Sequence, residues 1–521
     1  MLAILWLVLT AGTVWGGGSG LNVIVVVNQN SPNSVQLGND YCEQRGVPPQ
    51  NVLRMTGWSG GAISWSRTDF ENRLLNPLLG MLASRGLTNQ AEVVLLSMDI
   101  PYRVVDGGSQ NSTTSALFYG FKADTAPPEA GLPWSCSLPA ASSNSYAFSE
   151  LPWRQSAPNT ASTNSFLAMM LTDNTLAQAE QILRNGVVSD SSFPTQAVYL
   201  AKTSDVARNV RYGEFDEAIF SRRVLGDSSM VWVNTDATSF TNLRGLLTGL
   251  ANLSLPTNAL VPGAMGDSLT SYAGDLFEAT GQTSLLAFLN AGAAGSYGTV
   301  VEPCNYTEKF PHPLDYFYQR RGFCLAEAYY QSLRNPYQGL LVGEPLAAPF
   351  ARRGAAAWNS LTNGQVLSGL ATLDLSFFSA ASNLPVGQVD LFIDGTFYQT
   401  LTNLPPASGN GLSVVLNGVT VSYTVPMNAT VASVTRALAG ALNVQTNSTR
   451  VQAYAAGDRV ELQSLDVATP GSQVTLSAGS VPGALGQVTT WLTAAQPVFL
   501  DTVATGYLGV VVGNAPAVGD W

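Results

Sequence analysis

The sequence predicts an α/β domain with a mostly parallel sheet flanked by helices, followed by a β-rich, sandwich-like C-terminal domain. Residues 21–28, LNVIVVVN, are apolar and β-branched without alternation, which is typical of a strand buried on both faces of a parallel sheet. Residues 69–85 carry leucines at helical spacing, which predicts an amphipathic helix. Beyond residue 355, alternating runs separated by Asp-Gly and Asn-Gly pairs replace the helical patterns, which predicts antiparallel hairpins.

The early elements follow in a βαβαβ order. The first strand leads into a helix with Ser34 as its predicted N-cap and Gly46 as its end, because glycine is favoured just past a helix C-terminus. NVLRM and EVVLLSM are predicted strands, and Gly86 ends the helix between them. Strands that alternate with helices in this way predict parallel pairing with right-handed connections.

Later elements are predicted from short apolar runs and turn residues. AVYLAK, MVWVN, GTVVEP and GLLVGEP are predicted strands, a helix is expected to end at Gly186, and another helix covers residues 325–333. In the C-terminal region, hairpin turns are predicted at residues 394–395, 417–418 and 457–458, with one short helix at SVTRALAGALN.

Composition narrows the functional class. The 521 residues carry a net charge of −11, so their surface repels a phosphate backbone and no nucleic-acid binding is predicted. Only 11% of residues are charged, against about 25% in ordinary soluble proteins. No GxGxxG or Walker pattern follows the first strand, and no EF-hand loop occurs, so no cofactor and no metal are predicted.

The N-terminus predicts export. Residues 2–15 are apolar and are followed by GGGSG; the run is shorter than the roughly 20 residues that span a bilayer and fits a signal peptide. A buried first strand is the alternative. The predicted layout is a signal peptide at residues 1–19, an α/β domain at residues 20–355 with a surface insertion at residues 123–163, and a C-terminal domain at residues 356–521. We therefore predict a secreted, cell-envelope or periplasmic location and no membrane span in the mature chain.

Four cysteines are compatible with an oxidising compartment. Three pairings are open, and Cys304 with Cys324 is favoured because both flank the same loop. Cys42 lies on the apolar face of a predicted helix, where a buried, inert thiol is expected.

Polar side chains after the predicted strands are the candidate site, because ligands of such sheets bind at the carboxyl ends of the strands. Tyr102 and Arg103 follow the third strand, and Ser268 follows a later one; these three are predicted to bind a ligand. Asp267 and Glu302 also lie at strand ends and could do acid–base work. The alternatives are that Asp267 caps a turn and that Glu302 pairs with an arginine.

The single histidine, His312, lies between two prolines in FPHPL. Any catalyst that uses histidine must use this residue, so it joins Asp267 and Glu302 as a catalytic candidate. A structural histidine is the alternative. A zinc site built on histidine is excluded by the count, because such sites need several His or Cys ligands.

Several stretches together resemble an uncharacterised family of exported bacterial proteins: NVIVVVN, MDIPYRVV with TSALFYGFK, AKTSDVARNVRYGEFDEAI, VPGAMGDSLTSYAGD, and GAAGSYGTVVEP through GLLVGEPLAAPF. They cover roughly residues 20 to 355. The resemblance implies export and a shared fold. It gives no information about an activity.

A more distant similarity is to the caspase-like fold of gingipain-type cysteine peptidases. It rests on the glycine-rich strand GAAGSYGTV, on Glu327-Ala328 in a helix and on Gly343-Glu344-Pro345 at a strand end. The similarity implies a caspase-like sheet. The peptidases carry a His-Gly and a nucleophilic cysteine where this chain has Pro101-Tyr102-Arg103 and residues 264–267, so their catalytic dyad is absent.

Three functions remain open from the sequence. The first is a pseudoenzyme that binds an extracellular ligand or protein partner in a groove lined by Tyr102, Arg103, Asp267, Ser268 and Glu302. The second is a hydrolase that uses a non-standard site of Asp267, Glu302 and His312. The third is a structural or adhesive surface protein that acts through its C-terminal β domain.

Overall fold

The computed structural model describes sixteen stretches of the chain. These are residues 19–124, 130–139, 143–148, 166–216, 218, 229–352, 355–362, 365–366, 375–378, 388–403, 406–456, 459–466, 468–469, 473–483, 491–495 and 507–513. The apolar run of the predicted signal peptide, most of the predicted insertion at residues 123–163 and the turn at residues 457–458 lie outside the described residues.

The described residues of the α/β region form thirteen strands. They are β1 Val23–Asn28, β2 Val52–Met55, β3 Ser64–Ser66, β4 Val93–Leu96, β5 Arg103–Asp106, β6 Ser109–Ser112, β7 Leu167–Met170, β8 Val198–Lys202, β9 Met230–Asn234, β10 Leu243–Thr248, β11 Leu260–Ser268, β12 Gly295–Thr299 and β13 Gly339–Gly343. Ten of them form one sheet in the order β2-β1-β4-β7-β13-β12-β11-β10-β8-β9. Strands β3, β5 and β6 form a separate small sheet, and β5 and β6 belong to the connection that follows β4.

Helices flank this sheet. They are α1 Pro32–Arg45, α2 Arg67–Phe70, α3 Asn76–Arg85, α4 Thr113–Tyr119, α5 Leu176–Ser189, α6 Leu286–Asn290, α7 Asp315–Arg320 and α8 Leu325–Ser332, with a π-helical turn at Glu71–Leu75 between α2 and α3. Among the described residues, no helix is both long and apolar enough to cross a membrane.

The ten-stranded sheet is mostly parallel, as predicted. Strand β1 pairs in parallel with β2 and β4, and β11 pairs in parallel with β10 and β12. Strand β13 runs antiparallel to β12 and meets β7 only through Val342 and Met170. All six residues of β1 are buried, because helices cover both faces of the sheet, and this burial is what its unbroken apolar run indicates.

Two helix ends differ from the prediction. Helix α1 is capped by Ser31, whose hydroxyl accepts the Ser34 backbone N–H, because Pro32 then occupies the first helical position, where its missing N–H costs nothing. Helix α5 continues through Gly186 to Ser189. Gly186 allows helix α5 to pack closely against Glu344, because a Cβ at this position would lie 2.6 Å from Cβ of Glu344. Gly46 and Gly86 end their helices in left-handed conformations, as predicted.

The C-terminal region is antiparallel. It contains β14 Ala355–Trp358, β15 Leu375–Phe378, β16 Gln388–Ile393, β17 Thr396–Asn403, β18 Gly411–Leu416, β19 Val419–Thr424, β20 Val451–Ala456, β21 Arg459–Ser464, β22 Leu476–Val481, β23 Trp491–Ala495 and β24 Tyr507–Gly513, with helices α9 Val431–Val444 and α10 Thr446–Thr449. Helix α9 packs Val434, Leu438 and Leu442 into a second core. The mixed fold class is confirmed, and the domain boundaries stay a prediction.

The β16–β17 hairpin contacts the α/β region through its turn. Asp394 and Gly395 both have positive φ, as two-residue hairpin turns require. The Gln90 amide donates to the Gly395 carbonyl at 2.9 Å and accepts the Phe397 N–H at 2.6 Å. Gln50 donates to the Asp394 carbonyl at 2.6 Å. The turn therefore hydrogen-bonds the loops beside β2 and β4.

Candidate functional site

The loops after β4, β11 and β12 meet at one edge of the sheet. Arg103, which begins β5, forms ion pairs with Asp275 at 3.2 Å and with Glu278 at 2.5 Å. Its guanidinium also donates to the Val300 carbonyl at 3.3 Å. The hydroxyl of Tyr102 donates to the same Glu278 carboxylate. Tyr102 and Arg103 therefore hold two carboxylates that the sequence did not single out, and their ligand-binding role stays a prediction.

A second tyrosine and a third carboxylate complete this group. Tyr272 is partly exposed, and burial followed by the charges of Glu302 and Asp275 raises the pKa of its phenol. Glu302 accepts the backbone N–H of Cys304 at 2.8 Å, which orients its carboxylate. We call Tyr102, Arg103, Tyr272, Asp275, Glu278 and Glu302 the open cluster.

The open cluster is in contact with solvent and carries an excess of negative charge. The side chain of Glu278 is 35% exposed, while those of Arg103 and Asp275 are 14% and 7% exposed. Burial raises the pKa of Asp275 to about 7, with Glu278 adding to the rise and Arg103 opposing it. The phenyl ring of Phe277 packs edge-on against Tyr102 at 6.2 Å. The site thus combines three carboxylates, one guanidinium and aromatic rings.

Asp267 lies elsewhere, in the interior. It is fully buried and its carboxylate lies 2.6 Å from the Arg211 guanidinium. Arg211 also donates to the Pro311 carbonyl at 3.1 Å and to the Thr248 carbonyl at 2.9 Å. Burial raises the pKa of Asp267 and Arg211 opposes that rise. A buried, paired carboxylate of this kind fits a structural role, and its acid–base role stays a prediction.

His312 follows Pro311, whose carbonyl accepts from Arg211. Only 2% of the residue is exposed, and its Nδ1 accepts the Leu314 backbone N–H at 3.1 Å. In the neutral ring the proton is therefore on Nε2, which lies 3.9 Å from the Glu214 carboxylate. Arg211 thus pairs with Asp267 and donates to the backbone next to His312, whereas Glu302 belongs to the open cluster.

Ser268 is engaged by the backbone. Its hydroxyl donates to the Leu250 carbonyl at 2.8 Å and accepts the Leu250 N–H at 3.0 Å. The residue is 1% exposed. These bonds hold the chain after β11 against the loop after β10, and the ligand-binding role of Ser268 stays a prediction.

The cysteine pairing was predicted wrongly. Cys304 is bonded to Cys136, with their Cα atoms 5.2 Å apart. Cys324 is a free, buried thiol at the N-terminus of α8, where its backbone N–H donates to Glu327 at 2.8 Å. Cys324 is buried in the main core. Cys136 is 168 residues from Cys304, so proximity in sequence was a poor guide.

The thiolate form is disfavoured at both unpaired cysteines. Cys136 and Cys304 are bonded to each other. Burial raises the pKa of Cys42 to about 11 and raises the pKa of Cys324 well above its usual range, and the thiolate is the nucleophilic form of cysteine. Within the described stretches, no group of three or more His, Cys, Asp or Glu side chains is arranged to hold a metal ion.

Comparisons with known proteins add little. No protein-family model matches the chain, and no curated protein matches it. A solved structure named "Structure of Protease" aligns with a TM-score of 0.36 and 8% sequence identity, covering 89% of this chain and 98% of that chain. A likeness of this size carries no argument about fold, activity or site.

Proposed function

We propose that this chain is an exported protein that binds a cationic ligand or partner outside the cell through the open cluster, without peptidase activity. The observation that carries the proposal is an excess of carboxylates: Asp275 and Glu278 both pair with the single guanidinium of Arg103, and Glu302 lies near Tyr272 in the same cluster. The Cys136–Cys304 disulfide supports export, because such bonds persist in oxidising compartments. Membership of the exported bacterial family and the caspase-like ancestry remain part of this proposal.

The ligand is expected to present an amine or guanidinium group. Once Asp275 is ionised, the three carboxylates outnumber Arg103 and leave the cluster with an uncompensated negative charge. The partly exposed rings of Tyr272 and Phe277 belong to the same loop as Asp275 and Glu278, and aromatic faces attract cations. The net charge of −11 steers positively charged ligands toward the protein.

We expect Glu278→Gln to weaken binding of a short arginine-containing peptide about tenfold, or ~1.4 kcal/mol. The substitution removes one negative charge while an amide oxygen still accepts from Tyr102 and Arg103. Isothermal titration calorimetry at low salt measures the effect. The matched control is Glu71→Gln, because Glu71 is 38% exposed and pairs with Arg67 at 2.8 Å outside the cluster. Equal affinities for wild type and Glu278→Gln would refute the proposed site.

The affinity for the same peptide is expected to rise about tenfold between pH 6 and pH 8. Because the pKa of Asp275 is raised to about 7, its carboxyl is neutral at the lower pH and charged at the higher one, whereas arginine is charged throughout. Asp275→Asn should remove this rise and leave the affinity at its low-pH level. A wild-type profile that is flat over this range would contradict the role of Asp275.

A hydrolase is the second candidate, and one observation favours it. Asp275 titrates near neutral pH, as a general acid should, and it lies beside Arg103 and Glu278. Turnover of peptide or glycoside reporters by the wild type, lost in Asp275→Asn while peptide binding at pH 6 persists, would replace the binding proposal with this one.

A further inference from the structure

A buried amine lies near the open cluster, and the charge of Glu302 in that cluster acts on it. Lys309 is 0% exposed and lies in the loop between β12 and α7. Its ammonium donates to the side-chain carbonyl of Gln338 at 2.7 Å and to the Ser135 backbone carbonyl at 2.8 Å. Gln338 is also 0% exposed. The amine and the amide are therefore in contact in a place from which water is excluded.

The backbone holds both partners in position. The Ser135 carbonyl that accepts from Lys309 also accepts from the Gln338 side-chain N–H at 2.9 Å. Ser135 precedes Cys136, whose disulfide to Cys304 fixes this segment against the loop that carries Lys309. The carbonyl of Lys309 accepts from the Tyr297 hydroxyl. Groups held in this way react as if at very high concentration, because the entropy of encounter has already been lost.

The surroundings favour the nucleophilic form of the amine. Burial lowers the pKa of Lys309 to about 7, with Asp124 and Glu302 opposing the shift. The Tyr337 ring lies 5.3 Å from the ammonium, and the Tyr337 hydroxyl donates to Asp124. Desolvation of the lysine increases the fraction of its nucleophilic amine form at neutral pH.

We propose that Lys309 and Gln338 form an intramolecular isopeptide bond in the mature protein. The Nζ lone pair attacks Cδ of Gln338, a proton passes from Nζ to Nε2, and the Cδ–Nε2 bond breaks. The products are a secondary amide and one ammonia, which leaves as ammonium when the reaction starts from protonated lysine. Atoms and charge balance, and no oxidant, reductant or second substrate is required.

The bond would join the loop after β12 to the start of β13. Together with the Cys136–Cys304 disulfide, it would fasten three segments that meet beside the open cluster: residues 130–139, the loop at residues 300–314 and residues 335–339. Unlike the disulfide, an amide survives reduction. An exported protein would thereby keep this part of its framework in a reducing medium.

The test is peptide mapping of the full, purified exported chain by mass spectrometry after reduction and alkylation. The expected result is one species that contains residues 309 and 338 in two peptides and is lighter than their sum by one ammonia, with Lys309 resistant to trypsin. Separate peptides with unmodified Lys309, or a Gln338 that is only deamidated, would overturn the proposal.

Variants distinguish a covalent Lys309–Gln338 bond from simple proximity of the two side chains. Lys309→Arg retains a cation in the same cavity but cannot form the amide, so its two peptides should separate. Lys202→Arg is the control, because Lys202 lies at the end of β8 with its ammonium over the Tyr212 ring, and it should retain the cross-linked species. If Lys309→Arg fails to fold, the wild-type map alone still decides, since that map either contains the joined species or does not.

Discussion

Arg45→Leu is expected to lower the free energy of unfolding by about 3–5 kcal/mol, because it leaves two buried carboxylates without their cation. Arg45 lies at the end of α1, 2.5 Å from the Asp190 carboxylate, and it also binds Glu344 through two nitrogens. The side chains of all three residues are at most 2% exposed. Urea denaturation followed by circular dichroism measures the loss.

The control for this prediction is Arg67→Leu. Arg67 also contacts two carboxylates, Glu71 at 2.8 Å and Asp106 at 3.4 Å, but its side chain is 47% exposed. Solvent screens such pairs, so a change within about 1 kcal/mol is expected. Losses of similar size in the two variants would show that burial of the Arg45 group does not govern its contribution.

Removal of the disulfide in Cys136→Ser/Cys304→Ser is expected to cost roughly 5 kcal/mol, because in the chain-entropy model the cost grows with the enclosed loop. The bond joins residues that are 168 positions apart, so it restricts the unfolded chain over a long segment. Denaturation midpoints of the double variant and of the wild type with and without reductant measure the effect.

Cys42→Ser is the comparison for the disulfide, because Cys42 is unpaired and only partly buried. A change within about 1 kcal/mol is expected there. Reductant that lowers the wild type to the level of the double variant, without affecting the double variant itself, would assign the loss to the bond. Equal stability of all forms would refute the prediction.

The fold could be predicted from local pattern to a considerable extent. The apolar run in β1 indicates burial of the strand. The glycines that end α1 and α3 indicate the left-handed backbone conformation found there. Gly186 was misinterpreted because a glycine that ends a helix and a glycine that admits a neighbour look alike in sequence. Only the contact between α5 and Glu344, 158 positions later, distinguishes them.

The candidate site was predictable where topology alone places residues. Tyr102 and Arg103 lie at the carboxyl edge because the third strand of a parallel sheet ends there. Asp275 and Glu278 were missed, although they follow β11 closely, because a surface turn with acids is common. Asp267 and Ser268 were expected in the groove, but Arg211 and the Leu250 backbone engage them in the interior. Such pairings depend on the conformations of loops, and residue spacing in the sequence does not predict those conformations.

The central position of β13 has a consequence for folding. Strand β13 comes last in the α/β region but lies between β7 and β12. Until residues 339–343 have been synthesised, both neighbours present unpaired edges, which are templates for association with other chains. Contacts so distant in sequence also form slowly. We infer that a partly synthesised chain is prone to aggregate until residues 339–343 are available to pair with both strands.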